Sequence, residues 1–439
     1  MATEKVRALL APLEAPRRRL RLWRRRATLL FAVVGPGLIT ATVNQDAGGI
    51  YSYSLAGAQF GYLLLWTVFP LAVVLYFTQE MGARLGAITG KGLSDLIREE
   101  FGFRTTFFLM LALLAVNLGN ILAEFAGIAA SLNLFGVSKY VSVPLAALVV
   151  WVVVVRGSYR TVEKVFLVGC LFYLSYVVSV VLAEPDWLSA AYHTVRPTWE
   201  SSSDYVLLVV ALVGSTVAPW QFFYLQAGVV ERNVPRGRYW ETRADVLAGS
   251  VSCAVIVFSI IVACAATLHR AGVSQFADAA AAAHALQPLA GNYASILFAV
   301  GLLMASLLAA SIVPLSTAYV ICEGLGVEAS LNRPFREAPI FYSLYTALLV
   351  VGAGLILLPS TPLVRVMVLS QVVNGFLLPV VLIFMLVLVN RRDLMGEWRN
   401  QPGVNAIAWS TAALMIALSL ALLYFFFTGS VLGLIPRGG

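Results

Sequence analysis

The chain has 439 residues, of which 60% are hydrophobic and only 12% charged, whereas soluble domains carry about 25% charged residues. That composition excludes a disordered chain, a nucleic-acid-binding domain and an ordinary water-soluble enzyme, and leaves an all-α polytopic membrane protein. An apolar helix needs about 20 residues to cross the hydrocarbon layer, so the length holds about ten to fourteen spans and no separate soluble catalytic domain. The net charge is +8, and the first 26 residues hold nine of the 30 basic side chains, among them Arg17, Arg18, Arg19, Arg21, Arg24, Arg25 and Arg26. Segment 1–28 therefore reads as a basic cytoplasmic anchor. A cleaved or twin-arginine signal is disfavoured, because the following apolar stretch is long, contains Asp46 and lacks an A-x-A exit.

Apolar runs bounded by charge, Gly or Pro fall at 29–56, 61–83, 105–134, 140–155, 163–183, 205–230, 245–268, 293–322, 338–358, 363–389 and 404–428. These predict eleven transmembrane helices. With the N-terminus inside, 25 of the 30 basic residues fall on the cytoplasmic side, and only Lys139, Arg196, Arg270 and Arg437 outside, with Arg365 at the outer end of the tenth run. The bias predicts a multi-pass inner-membrane protein with its N-terminus cytoplasmic and its C-terminus outside. The outer segments 184–204 and 269–292 are expected to be loops, the second with a short surface helix at Ala279–Ala283. Trp187 and Trp199 read as interface residues. Cys170, Cys253, Cys264 and Cys322 are scattered and predict neither a disulfide framework nor a metal site.

Two runs are interrupted. The first, GPGLITATVNQDAGGIYSYSLAGAQFG, places Gly48 and Gly49 beside Asp46 at mid-depth; the sixth, VALVGSTVAPWQFFYLQAGVV, places Pro219 there. Both should unwind at these points. Paired breaks in the first and sixth spans point to two inverted five-helix repeats, 29–183 and 205–389, followed by an eleventh span and tail at 390–439, with a substrate site between the repeats at the bilayer midplane.

Asp46 is the only acid near the centre of the first span, and burying a carboxylate there costs several kcal/mol unless it is paired. No Lys or Arg stands at that depth, so its partner is either a cation from solution or a proton that lets it cap the broken helix. Glu124, in NLGNILAEFAG, is a second intramembrane acid, readable as a proton or cation relay or as a protonated group bonded to a neighbouring helix. Glu80 and Arg84, one turn apart, read as an ion pair or gate element. Gln371, in LSQVVNGFLLP, offers an amide oxygen suited to a hard cation, or interhelical hydrogen bonding, as do Asn117 and Asn120. His193, His269 and His284 fall in the expected outer loops, leaving no histidine within the membrane.

The stretch GPGLITATVNQDAGGIYSYSLAGAQFGYLLLW, the run QEMGARLGAITGKGL, LAEFAG and LSQVV together resemble the NRAMP family of divalent metal transporters, over residues 31–428. The resemblance implies a LeuT-type fold and a metal site built from a DPGN motif in the first span and an MPH motif in the sixth. Here those positions are Asp46, Ala47, Gly48 and Gly49, then Ala218, Pro219 and Trp220. The aspartate and proline are kept; the asparagine, methionine and histidine are not.

Those departures bear on substrate. Ala218 removes a soft thioether that favours transition metals, and Gly49 removes an oxygen ligand and is expected to open volume. Asp46, backbone carbonyls near Val43 and Ser215, and the Gln371 amide remain, all oxygen donors, which suits an ion that keeps several waters, as Mg²⁺ does. The sequence is thus most similar to the NRAMP-related magnesium transporter branch, which also carries Mn²⁺. Proton-coupled members place an aspartate where Ile121 stands and a histidine where Trp220 stands, so only Glu124 survives of that relay and uncoupled transport is expected. The partners are the lipid bilayer and the ion itself, with no cofactor. Three rivals stand beside this expectation: a proton-coupled Mn²⁺/Fe²⁺ importer; an amino-acid or organic-cation transporter on the same fold, whose carboxylate substrate a lone Asp46 would repel; and a non-transporting membrane sensor or scaffold, in which buried acids without a role would be costly.

Overall fold

The computed structural model describes residues 36–157, 159–234, 236–273, 279–359 and 363–427. The basic segment 1–28, the first residues expected of span 1 and the tail from residue 428 lie outside the described residues. Within them every element is helical. Span 1 consists of Pro36–Val43 and Ala47–Phe60, span 2 of Val68–Thr89, span 3 of Leu93–Asn133 and span 4 of Lys139–Arg156. Span 5 runs Tyr159–Cys170 and, through a 3-10 turn, Leu174–Leu182. Span 6 is Ser203–Thr216 and Trp220–Glu231; span 7 is Tyr239–Cys264, closed by a π turn at Ala265–His269. Spans 8 to 11 are Ala279–Leu325, Pro339–Leu357, Leu363–Asn390 and Pro402–Phe427.

By length and composition, nine helices among the described residues can cross a membrane. Spans 1 and 2 fall outside that set for identifiable reasons: the first is broken into two short helices, and the second carries Gln79, Glu80 and Arg84 on its last turns. Burial sorts the spans further. The most apolar stretch of span 6 is 94% buried and that of span 4 only 28%, so span 6 is enclosed while span 4 turns Leu145, Leu148 and Val149 outward, as a lipid-facing helix does. Span 3 packs most extensively on span 8 and then on span 10, and span 1 packs on span 7.

Three sequence expectations need correction. The supposed loop 184–204 contains a helix, Trp187–Val195, because Asp186 caps it by accepting from the N–H groups of Leu188 and Ser189, both at 3.1 Å. The alanine run 279–283 is no separate surface helix but the start of span 8, alanine being the residue that propagates a helix most readily. Span 3 begins at Leu93 rather than 105, with a bend at Gly102, whose φ of +81° only glycine adopts without strain.

Candidate metal-transport site

The breaks of spans 1 and 6 lie against each other. Span 1 unwinds over Asn44, Gln45 and Asp46, ahead of the expected Gly48–Gly49 pair, which sits in the first turn of the following helix. The reason is local: Asp46 has extended backbone angles and caps that helix, its Oδ1 accepting from Gly49 N at 2.6 Å. Span 6 is interrupted at Val217 and Ala218, and Pro219, lacking an N–H, opens its second half. The Asn44 side chain donates across to the Thr216 carbonyl, tying one break to the other.

Val43, Asp46, Gly49, Glu124, Ser215, Ala218, Trp220 and Gln371 are all buried. Asp46 collects the most contacts. Beside the Gly49 N–H, its two oxygens accept from Gln371 Nε2, each at 3.3 Å. Gln371 is held close: a Cβ at Gly48 would collide with its side chain, and one at Gly214 would collide with its carbonyl. It therefore meets Asp46 through its nitrogen, whereas the sequence suggested an oxygen ligand; its Oε1 accepts instead from Asn374 Nδ2 at 3.3 Å. A carboxylate only accepts hydrogen bonds, so an amide facing it presents its N–H groups.

Glu124 stands beside Asp46 and caps the same helix from span 3, its Oε2 accepting from Ala47 N at 3.1 Å, while its Oε1 is buried without a hydrogen-bond partner. Two adjacent buried carboxyl groups, with no ion pair to a basic side chain among the described residues, concentrate negative potential that a cation or a proton offsets. Ser215 precedes Thr216 at the end of the first half of span 6, and its hydroxyl has no partner. Val43 ends the first half of span 1, where last-turn carbonyls lack helical donors. The neighbouring Thr216 carbonyl is already taken by Asn44.

The volume expected at Gly49 is absent in this conformation. A Cβ there would stand 3.1 Å from Asp46 Oδ1, 3.2 Å from Asn44 O and 3.3 Å from the Tyr53 ring, which borders the space. Ala218 places only a methyl group at the break. Trp220 begins the second half of span 6; Ser316 donates to its carbonyl at 2.8 Å, and its indole N–H is buried with no partner. Among the described residues no three His, Cys, Asp or Glu side chains gather around one point. An ion at Asp46 would complete its shell with carbonyls, amides and water.

Several residues here escaped the sequence argument. Gln79 donates to Gln221 at 2.8 Å, and Gln221 to Asn44 at 2.7 Å, making a chain of amides from span 2 through span 6 into the break of span 1. Tyr53 OH lies 3.1 Å from Thr216 Oγ1. Intramembrane amides beside Asp46 and Pro219 were a usable signal. At the basic end of the bundle, Glu80 pairs with Arg84 at 3.2 Å as expected, but it also accepts from Tyr239 at 2.8 Å, and Arg84 donates to the Trp398 carbonyl at 2.8 Å. The pair joins spans 2 and 7 to the segment before span 11, around a cavity of 270 Å³.

Comparison with known proteins agrees with this architecture. The divalent metal cation transporter MntH 1 of Pseudomonas aeruginosa is 32% identical, over 90% of this chain and 91% of its own. The manganese transporter of Eremococcus coleocola superposes with a TM-score of 0.73 at 21% identity, covering 93% of this chain and 89% of that one. MhsT, solved with L-phenylalanine, superposes at 0.52 with 14% identity, over 89% and 97%. These likenesses agree with the LeuT-type fold that the family resemblance implied. Residues 37–425 match the sequence model described as natural resistance-associated macrophage protein-like, and the chain belongs to the Nramp family.

Proposed function

We propose that this protein is a secondary transporter that imports divalent metal cations, Mg²⁺ and also Mn²⁺, across the inner membrane by alternating access, with the N-terminus cytoplasmic. The observation that carries the proposal is Asp46: a buried carboxylate at the break of span 1, with oxygen- and amide-bearing neighbours and neither thioether nor imidazole at positions 218 and 220. Relatives are named for divalent metal or manganese transport. In this chain the oxygen-only donor set favours a hard ion with retained waters.

Transport is driven by the membrane potential, which contributes about 4.6 kcal/mol per 100 mV for a divalent ion. Ile121 and Trp220 interrupt the chain of titratable groups that proton coupling needs. A second reading, proton-coupled Mn²⁺/Fe²⁺ import, is favoured by one observation, the position of Glu124 of span 3 at the N-terminus of the helix that Asp46 caps. A proteoliposome flux assay with Mg²⁺, Mn²⁺ and Ca²⁺, run with a lumenal pH dye, tests both. Mg²⁺ and Mn²⁺ uptake without acidification is expected; Mn²⁺ uptake with acidification and no Mg²⁺ flux would replace the first reading by the second.

A further inference from the structure

We propose that Asn374 and Asn120 are positioning residues that form an amide relay, reporting at span 3 whether a cation occupies Asp46. This rests on the transport reading above and adds two residues to it.

The relay is visible as an unbroken series of hydrogen bonds among side chains that are essentially fully buried. Gln371 Nε2 donates to Asp46, Asn374 Nδ2 donates to Gln371 Oε1 at 3.3 Å, and the amides of Asn374 and Asn120 pair reciprocally at 3.0 and 3.1 Å. Gln371 and Asn374 are three residues apart on span 10 and so share a face. Asn120 is one turn before Glu124 on span 3, and Glu124 accepts from Ala47 N, next to Asp46. The hydrogen bonds run from Asp46 through span 10 to Asn120, and the turn of span 3 between Asn120 and Glu124 connects them back to span 1.

The order of donors along this series follows from its end. A carboxylate only accepts, so Gln371 must turn its NH₂ to Asp46 and its oxygen to Asn374, which must then donate. A cation reverses the demand, since it takes oxygen and repels N–H. When Gln371 offers Oε1 to the ion, its NH₂ faces Asn374, which then has to present Oδ1. If Asn374 and Asn120 turn over together, their reciprocal pair is remade with donors and acceptors exchanged. Three amide–amide hydrogen bonds exist before and after, so the two states are matched in hydrogen bonding and the cation decides between them. Such a two-state element biased by a ligand is what couples a site to the helices around it. Replacing Asn374 by an apolar residue leaves Gln371 without its counterpart, and replacing Asn120 leaves Asn374 without the partner that turns over with it; either change biases the Gln371 amide against presenting oxygen.

The test uses the full chain in proteoliposomes with Mn²⁺ as the probe, in a double-mutant cycle of Gln371→Ala and Asn374→Leu. Each single change is expected to raise the half-saturating Mn²⁺ concentration about three- to tenfold, the worth of one hydrogen bond, and Asn374→Leu to leave the maximal rate per folded protein close to that of the wild type. The double variant should be no worse than the worse single one. Effects that multiply, or an Asn374→Leu variant with wild-type half-saturation, would overturn the relay. Should Asn374→Leu fail to fold, Asn120→Leu with Gln371→Ala runs the same cycle with the same expected and overturning results. A wild-type protein that moves neither Mn²⁺ nor Mg²⁺ removes the transport reading and the relay with it, whereas multiplying effects on a working transporter remove the relay alone.

Discussion

Asp245 of span 7 accepts hydrogen bonds from the backbone N–H groups of Gly37, at 2.8 Å, and Leu38, at 3.1 Å, the opening residues of span 1. The first turn of a helix has no internal acceptors for its N–H groups, and here a carboxylate from a span two hundred residues away supplies them. Asp245 is 1% exposed, so water cannot take its place. The contact fixes the leading half of span 1 to span 7.

Asp245→Ala should therefore lower stability by about 1–2 kcal/mol, the range for loss of a helix cap. Asp245→Asn, which keeps an oxygen acceptor, should lose less. Thermal unfolding of the detergent-solubilised protein reads the difference, and equal loss in both variants would mean that the carboxylate charge, not the cap, stabilises this end.

Asp46→Ala should abolish metal binding and transport while the protein remains folded, because it removes the negative charge around which the proposed site is built. Calorimetry showing undiminished Mg²⁺ binding would place the site elsewhere. Gln371→Ala should be milder, since water can replace one neutral ligand.

Mg²⁺ uptake into liposomes should accelerate with an inside-negative potential and leave the lumenal pH unchanged, given Ile121 and Trp220 where a proton relay needs titratable groups. Lumenal acidification that tracks metal influx and vanishes in Glu124→Gln would show that one glutamate is enough for coupling.

Ala218→Met should shift transport from Mg²⁺ toward Mn²⁺ and Cd²⁺, because a thioether adds a soft donor that Mg²⁺ does not use. Competition of Cd²⁺ against Mg²⁺ uptake measures it, and unchanged competition would remove ligand softness as the basis of selectivity. Adding Gly49→Asn should reduce uptake of every ion, since its Cβ would stand 3.1 Å from Asp46 Oδ1, closer than ordinary van der Waals contact.

The fold class, the eleven spans and the two interrupted helices were legible in the chain itself, because they depend on properties that neighbours in sequence share: apolar length, charge at the ends, and Pro or Gly within a run. Asp46 and Glu124 stood out for the same reason, as lone acids in apolar surroundings. The Glu80–Arg84 pair was readable because one turn of helix brings the two together. What the sequence could not determine were relations between distant spans. Asp46 moved the break from the glycines to Asn44–Asp46 by capping the following helix. Asp46, the Asn44 carbonyl and the Tyr53 ring border Gly49, and Gln371 turns its nitrogen rather than its oxygen to the carboxylate. The Asn120–Asn374 pair and the Asp245 cap join residues 254 and 208 positions apart. An amide can both donate and accept, so its role is set by whichever group stands opposite, and only the packed bundle decides which group that is.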